Sequence, residues 1–596
     1  MSVSLKTADL PTWDLSDLYR GPSDPAIDAD FAWATAEAAA LVAVAQGKLN
    51  GMASADFAAT VKRYEALDER LGKLGSFAQL LYAQDMSSPD VGRFYQSVQE
   101  RITEIAGTLL FFTLELNQLD PATVEALLAD PAAARYRPWV EASRAFRPHQ
   151  LSDTEEKLLL EKSLTGRAAW VRLFDETMAA LRIPIDGREL TSTEVLALMV
   201  SPDREVRKAS SQAFGKALAD EVRVFSLITN TLAKDKEVED RWRKYPRPIS
   251  SRNLGNRVED GVVDALIAAV RSAYPRLAHR YYKLKAQWLG LKQLETWDRN
   301  APLPGAPDRQ IPWREATETV LSAYHAFSPD LANVARQFFD KAWIDAPVRP
   351  GKAPGAFAHP TVPSAHPYLL VNYQGKVRDV MTLAHELGHG VHQVLAGQTQ
   401  GHLLAETPLT LAETASVFGE MLTFRALLAQ ERDPAQRRFL LASKVEDMLN
   451  TVVRQIALHS FEEAVHDRRR TGELLPDDLA EIWLQTQRDC LGDAVRFDDS
   501  YKHFWAYIPH FIHSPFYVYA YAYGDCLVNS LYAVYAGAEE GFAERYLTLL
   551  KAGGSQHHSA LLAPFGLDAR DPAFWDRGLQ MIADFIDELE SLPAHV

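Results

Sequence analysis

Apolar residues between Val377 and Leu395 recur at spacings of three and four. The set is Val377, Val380, Met381, Ala384, Leu387, Gly388, Val391, Val394 and Leu395. That period belongs to an α-helix with one face in a core. The stripe leaves His385 and His389 on another face, four residues apart, so the two rings project together one turn apart. Two imidazoles placed this way can close on one small cation. Glu386 lies between them, within reach of the proton of a water bound there. Two hydrogen-bonded histidines on a core helix would share the spacing, so the rest of the chain has to decide.

A catalytic metal needs a third protein ligand and an open fourth position. No third histidine extends the motif, because the residue six beyond His389 is Leu395. Thr407-Pro408 has the pattern of an N-cap followed by proline at the first helical position. The run from Leu409 to Glu420 then continues with helical periodicity, which puts Glu413 in its second turn and Glu420 on nearly the same face. Glu413 would complete a His2Glu set for Zn2+. Glu420 either orients a ligand imidazole or is a solvated helix acid. His385-Glu386-Leu387-Gly388-His389 with Glu413 therefore points to zinc metallopeptidase chemistry, with Glu386 as general base.

These residues, together with Leu411-Ala-Glu-Thr-Ala-Ser416, resemble the M3 family of zinc oligopeptidases, and within it bacterial oligoendopeptidase F. Further blocks carry the resemblance in order along the chain. They are Trp13 to Tyr19, His149 to Leu159, Lys244-Tyr-Pro, Arg252 to Asn256, Trp343 to Asp345, Arg349 to Lys352, Gly355 to Phe357 and Thr382 to His389. The resemblance implies a mainly α, multi-lobed helical zinc oligopeptidase fold with a small β-sheet beside the active-site cleft. It implies a helical region over 1–115, an oligopeptidase F-type lobe over 116–195 and a catalytic domain over 196–596. It also implies hydrolysis of internal bonds in short, unfolded oligopeptides. Relatives carry a histidine and tyrosines after the zinc helices that stabilise the oxyanion, and the block with His510, Tyr517 and Tyr521 resembles them, which implies the same role here.

Bulk properties agree. Lys+Arg 63 against Asp+Glu 79 leaves a net charge of −16, and no basic stripe offers a surface to nucleic acid or an anionic membrane. Cys490 and Cys526 make no disulfide framework, which fits reduced thiols and a cytoplasmic location. Met1 to Asp9 lacks the charged and apolar regions of a signal peptide. The most membrane-like stretch, Phe504 to Ala536, is interrupted by His510, His513, Asp525 and Asn529 and broken by Pro509 and Pro515. It is expected to be a buried, ligand-facing segment, with Tyr517 and Tyr521 four apart on one helix face.

Helical patterns dominate over Ile27 to Ala45, Phe57 to Leu116, Val124 to Ala129, Glu155 to Leu181 and Ser192 to Ala233. Ala301 to Pro307 and Pro347 to Gly355 have loop composition. Strand signals flank a turn-rich segment, in Gly355 to His359 and His366 to Tyr373, and an exposed edge there could pair with an extended peptide. Gly351-Lys352 is no phosphate loop, since no Ser or Thr follows the lysine. Two other readings stay open on these residues: a peptidyl-dipeptidase of the same family, or a non-catalytic zinc peptide-binding protein. Glu386 argues against the second, because a structural zinc has no use for a free carboxylate beside it.

Overall fold

Helices in this chain repeatedly begin at an Asp-Pro or Ser-Pro pair. Asp24, Asp120, Asp130, Asp433 and Asp571 each accept a backbone N–H two or three residues on, and proline occupies the next position. Ser88 and Ser328 do the same. The side chain satisfies an orphan donor of the first turn, and proline gives up an N–H that had no partner there. The computed structural model describes residues 10–163, 165–303, 310–537 and 540–592. Met1 to Asp9 and most of Ala301 to Pro307 lie outside them.

The chain divides into two compact units, each assembled from three separate segments. The first comprises Met1–Arg147, Asp308–Gln430 and Val534–Leu567. Its opening helices are Pro25–Ala45, Ser54–Gln84 and Pro89–Gln118. The expected run from Phe57 to Leu116 is thus two helices, because Ser88-Pro89 starts a new one. Phe57, Val61, Phe112, Leu116 and Tyr136 are buried together, each aromatic side chain contributing about 1.5–3 kcal/mol.

A three-stranded sheet follows in the same unit. Tyr368–Leu370 is its fully buried centre, parallel to Ile344–Asp345 and antiparallel to the edge strand Phe357–His359, with Ala358 opposite Leu369. Sequence patterning signalled the two longer strands and missed Ile344–Asp345, which is too short to show a period. The loop from Pro347 to Gly355 is pinned by Lys352. Its ammonium reaches Asp345 Oδ1 at 2.7 Å and donates to the carbonyls of Pro347 and Val371, at 2.9 and 2.7 Å.

The second unit comprises Pro148–Pro307, Glu431–Ala533 and Asp568–Val596. It is helical apart from two small two-stranded pairings. Phe174, Phe214, Phe225, Phe461, Trp483, Phe504 and Trp505 form its main core. The helices Arg204–Asp220 and Pro572–Ser591 make close approaches at glycines: a Cβ on Gly215 would lie 2.1 Å from Ser500 O, and one on Gly578 2.4 Å from Cys526 O. Both cysteines are free and buried. The segment read as membrane-like breaks where its prolines stand, into Asp499–Tyr507, His510–His513 and Tyr519–Ala536. No described helix is long and apolar enough to cross a membrane. The whole is mainly α, with small sheets.

Candidate active site

The motif helix runs from Val377 to Gln400 and buries Val380, Ala384, Leu387, Gly388, Val391, Val394 and Leu395, the face that its periodicity marked. His385 and His389 emerge from another face and remain partly accessible. Against this helix packs Thr414–Gln430. Gly388 is what lets the two approach, since a Cβ there would stand 2.4 Å from Ala415 O and 2.7 Å from Ser416 Cα. Tyr324, from the helix Trp313–Phe327, donates its hydroxyl to Ala384 O at 2.6 Å and fills the space beside Gly419.

This packing brings Glu413 to the histidines, by a route the periodicity did not show. Pro408 is the N-cap rather than the first helical residue, and the helix from Leu409 stops at Ala412. Glu413 sits at the break before Thr414 instead of in the second turn of one continuous helix. Ser416 Oγ donates to Glu413 Oε2 at 2.7 Å and so holds the carboxylate in place. His392, buried and pushed down to about 4 by that burial, is neutral. It meets Thr407 Oγ1 at 3.4 Å, tying the stretch that leads to Glu413 back to the motif helix.

His385 Nε2 and His389 Nε2 each lie 3.4 Å from Glu413 Oε2. A direct charged hydrogen bond would close to about 2.7–2.9 Å. Donors about 2.0–2.1 Å from a tetrahedral zinc stand about 3.3–3.4 Å from one another. The three residues therefore fit a bound cation better than a simple ion pair, and each offers a donor atom within 4.8 Å of the others. On the far side of the His385 ring, Glu420 Oε2 is 3.3 Å from Nδ1, the placement of an acid that fixes a ligand imidazole.

The electrostatics follow from this crowding. Burial opposes the charged form of Glu413, but the hydrogen bond and charge of His389, the nearby His385 and Ser416 outweigh it and lower its pKa to about 2. Burial likewise opposes the imidazolium of His385, and the Glu420 hydrogen bond with the Glu413 charge raises it to about 9. Glu386 is 8% exposed, and burial lifts its carboxyl above the usual range despite the two histidines. In the edge strand, Ala358 O accepts from Gln393 Nε2 at 3.3 Å, and the Ala358 backbone favours the charged form of Glu386 weakly. Of the edge that composition suggested as free, the Ala358 carbonyl is met by Gln393 of the motif helix.

His510, Tyr517 and Tyr521 belong to the second unit and cluster there. His510 Nε2 is 3.3 Å from Tyr521 Oη, and the Tyr517 and Tyr521 rings meet edge to face at 5.2 Å. Tyr517 precedes the helix that starts at Tyr519, so its contact with Tyr521 comes from a turn, not from helical spacing. Burial, then the charge of Arg454, lowers the His510 pKa. Ser416, His392 and Ala358 went unassigned in the sequence. Only Ser416 had a local signal, its i+3 spacing from Glu413.

The model of peptidase family M3 matches residues 197–581, which include every residue described in this site. The chain belongs to peptidase family M3. It is accordingly a metallopeptidase of a metal-dependent family. The oligopeptidase F model matches residues 115–183. Oligopeptidase PepF of Bacillus subtilis is 26% identical over 98% of this chain and 87% of its own length. An oligoendopeptidase F homolog of Lactococcus lactis is 24% identical over 98% and 97%. Among solved structures, a putative peptidase from Chlamydophila abortus superposes with a TM-score of 0.84 at 23% identity, covering 99% of each chain. Oligoendopeptidase-F from Enterococcus faecium gives 0.72 at 22% identity, over 95% and 98%. These likenesses establish the helical M3 fold.

Proposed function

We propose that this M3 peptidase is a zinc-dependent endopeptidase that cuts internal bonds of short, unfolded oligopeptides. The observation that carries the metal assignment is the 3.4 Å spacing of His385, His389 and Glu413. The substrate class is supported by relatives named oligopeptidase and oligoendopeptidase F. When bound, zinc supplies Lewis acidity at a carbonyl oxygen and lowers the pKa of water toward neutrality.

The protein's own groups do the rest. Glu386, raised by burial and drawn back toward its charged form by His385 and His389, takes a proton from the attacking water as it adds to the scissile carbonyl. The same carboxyl then gives that proton to the departing amine. Glu420, 3.3 Å from His385 Nδ1, would accept its N–H and so leave Nε2 as the nitrogen able to hold a metal. His510, Tyr517 and Tyr521 donate to the oxyanion, a role supported by the family resemblance and by their mutual clustering.

A peptide series of graded length, free and amidated at the C-terminus, tests this reading with and without a chelator. Chelator-sensitive internal cleavage of short peptides, amidated ones included, is expected. Rapid internal cutting of large folded proteins would overturn the substrate class, and chelator-insensitive turnover would overturn the metal. Tyr517→Phe, Tyr521→Phe and His510→Ala should each lower kcat by roughly a hundredfold, about 3 kcal/mol, with KM and metal content held. Normal turnover in all three would remove them from the mechanism.

A further inference from the structure

Between the helices His510–His513 and Tyr519–Ala536 the backbone makes its own turn, with Tyr517 N–H donating to Ser514 O at 3.1 Å, and is held further by charged side chains from elsewhere in the second unit. Arg167 Nη2 donates to Ile512 O at 2.7 Å and to His513 O at 3.0 Å. Arg252 Nε donates to Pro515 O at 3.1 Å, and its guanidinium lies 5.9 Å from the centre of the Tyr517 ring. The Phe516 N–H donates to Glu462 Oε1 at 2.8 Å. Phe516 itself is buried and has φ +58°, the left-handed region that a bulky side chain rarely adopts. A strained residue persists only where its surroundings over-determine it, and here they do so immediately before Tyr517.

Glu462 is an unusual choice for that hold. It is 2% exposed on the helix Arg454–Arg469, and its Oε2 has no hydrogen-bond partner. A cavity of about 20 Å³ adjoins it, lined by Thr229, Phe461, His466, Phe511 and Pro515. A deeply buried carboxyl with one oxygen unpaired is stable chiefly as the neutral acid. Burial does push it up to about 8. Neutral Glu462 still accepts the Phe516 N–H without placing a net charge in the core.

We propose that Glu462 is a positioning residue for catalysis: by accepting the Phe516 N–H it holds the left-handed turn that sets Tyr517 against His510 and Tyr521, with Arg252 holding the same turn at Pro515. The proposal rests on the reading of Tyr517 as an oxyanion donor. Glu462 touches no reacting atom on this account, and its effect passes through the backbone.

The test uses the full-length, metal-loaded enzyme with Glu462→Gln, Glu462→Met, Tyr517→Phe and the double variant Glu462→Met/Tyr517→Phe. Glu462→Gln keeps the accepting oxygen and should stay within about twofold of the parent kcat. Glu462→Met removes it and should lower kcat at least tenfold with KM and metal content unchanged. If Glu462 acts through Tyr517, the double variant is no slower than the slower single one. Losses that multiply, an unchanged kcat in Glu462→Met, or an equal loss in Glu462→Gln would overturn the proposal. Full activity in Tyr517→Phe alone would instead overturn the donor reading, so the two failures are told apart. If Glu462→Met does not fold, Arg252→Gln loosens the same turn from a partly accessible position and must show the same non-additivity with Tyr517→Phe.

Discussion

Gly388 and Ala415 meet backbone against backbone: a methyl group on Gly388 would stand 2.4 Å from the Ala415 carbonyl oxygen. The atoms that would have to yield are main chain, so no rotamer change relieves the contact. Gly388→Ala must push Thr414–Gln430 away from the motif helix, and Glu413 and Glu420 move with it. Overpacking of this kind costs about 1–3 kcal/mol or more. A lower melting temperature together with reduced metal content is expected. Unchanged values for both would mean that the helices are not held this closely.

Glu386→Gln is nearly isosteric and leaves the donors of His385, His389 and Glu413 in place. Metal content and melting temperature should stay near those of the parent, while kcat falls about 10²–10⁴-fold, the range for a lost general base. Metal analysis beside steady-state kinetics checks both halves. A folded, metal-loaded and active variant would show that another group takes the proton.

Glu420 stands 3.3 Å from His385 Nδ1, on the side away from Glu413. Glu420→Ala should therefore weaken metal binding about 10–100-fold without abolishing it, whereas Glu413→Ala should remove binding under the same conditions. Competition with a chromogenic chelator gives the two affinities. Equal losses in both would make Glu420 a ligand in its own right.

Glu462 also makes a prediction about stability. Its neighbours on the same helix, His459 and His466, are pushed down to about 3 by burial and carry no charge, while Lys236 and Arg252 face it from other helices. Burial raises the native Glu462 to about 8 from an ordinary value of 4.5. Between those values the native state keeps a proton that the unfolded chain has released. Stability contributed by this group therefore falls as pH rises through that window. Glu462→Gln does not titrate, so its melting temperature should gain on that of the parent from pH 5 to pH 8. Parallel melting curves across that range would show that the carboxyl does not change its charge on unfolding.

Local chemistry was enough to specify much of this protein. The stripe from Val377 to Leu395 determined a helix, which face it buries, and that His385 and His389 share another, because a 3.6-residue period is written in neighbouring side chains. Asp-Pro pairs mark helix starts for the same local reason. Tertiary structure alone decided the break after Ala412 that delivers Glu413, the close approach at Gly388, the contact of Gln393 with Ala358, and the hold of Glu462 on Phe516. Each of these joins elements that local pattern cannot relate: Ala358 precedes Gln393 by 35 residues, and Glu462 precedes Phe516 by 54 residues. Periodicity reports which face of an element is buried, whereas the partner on that face is chosen by packing between elements.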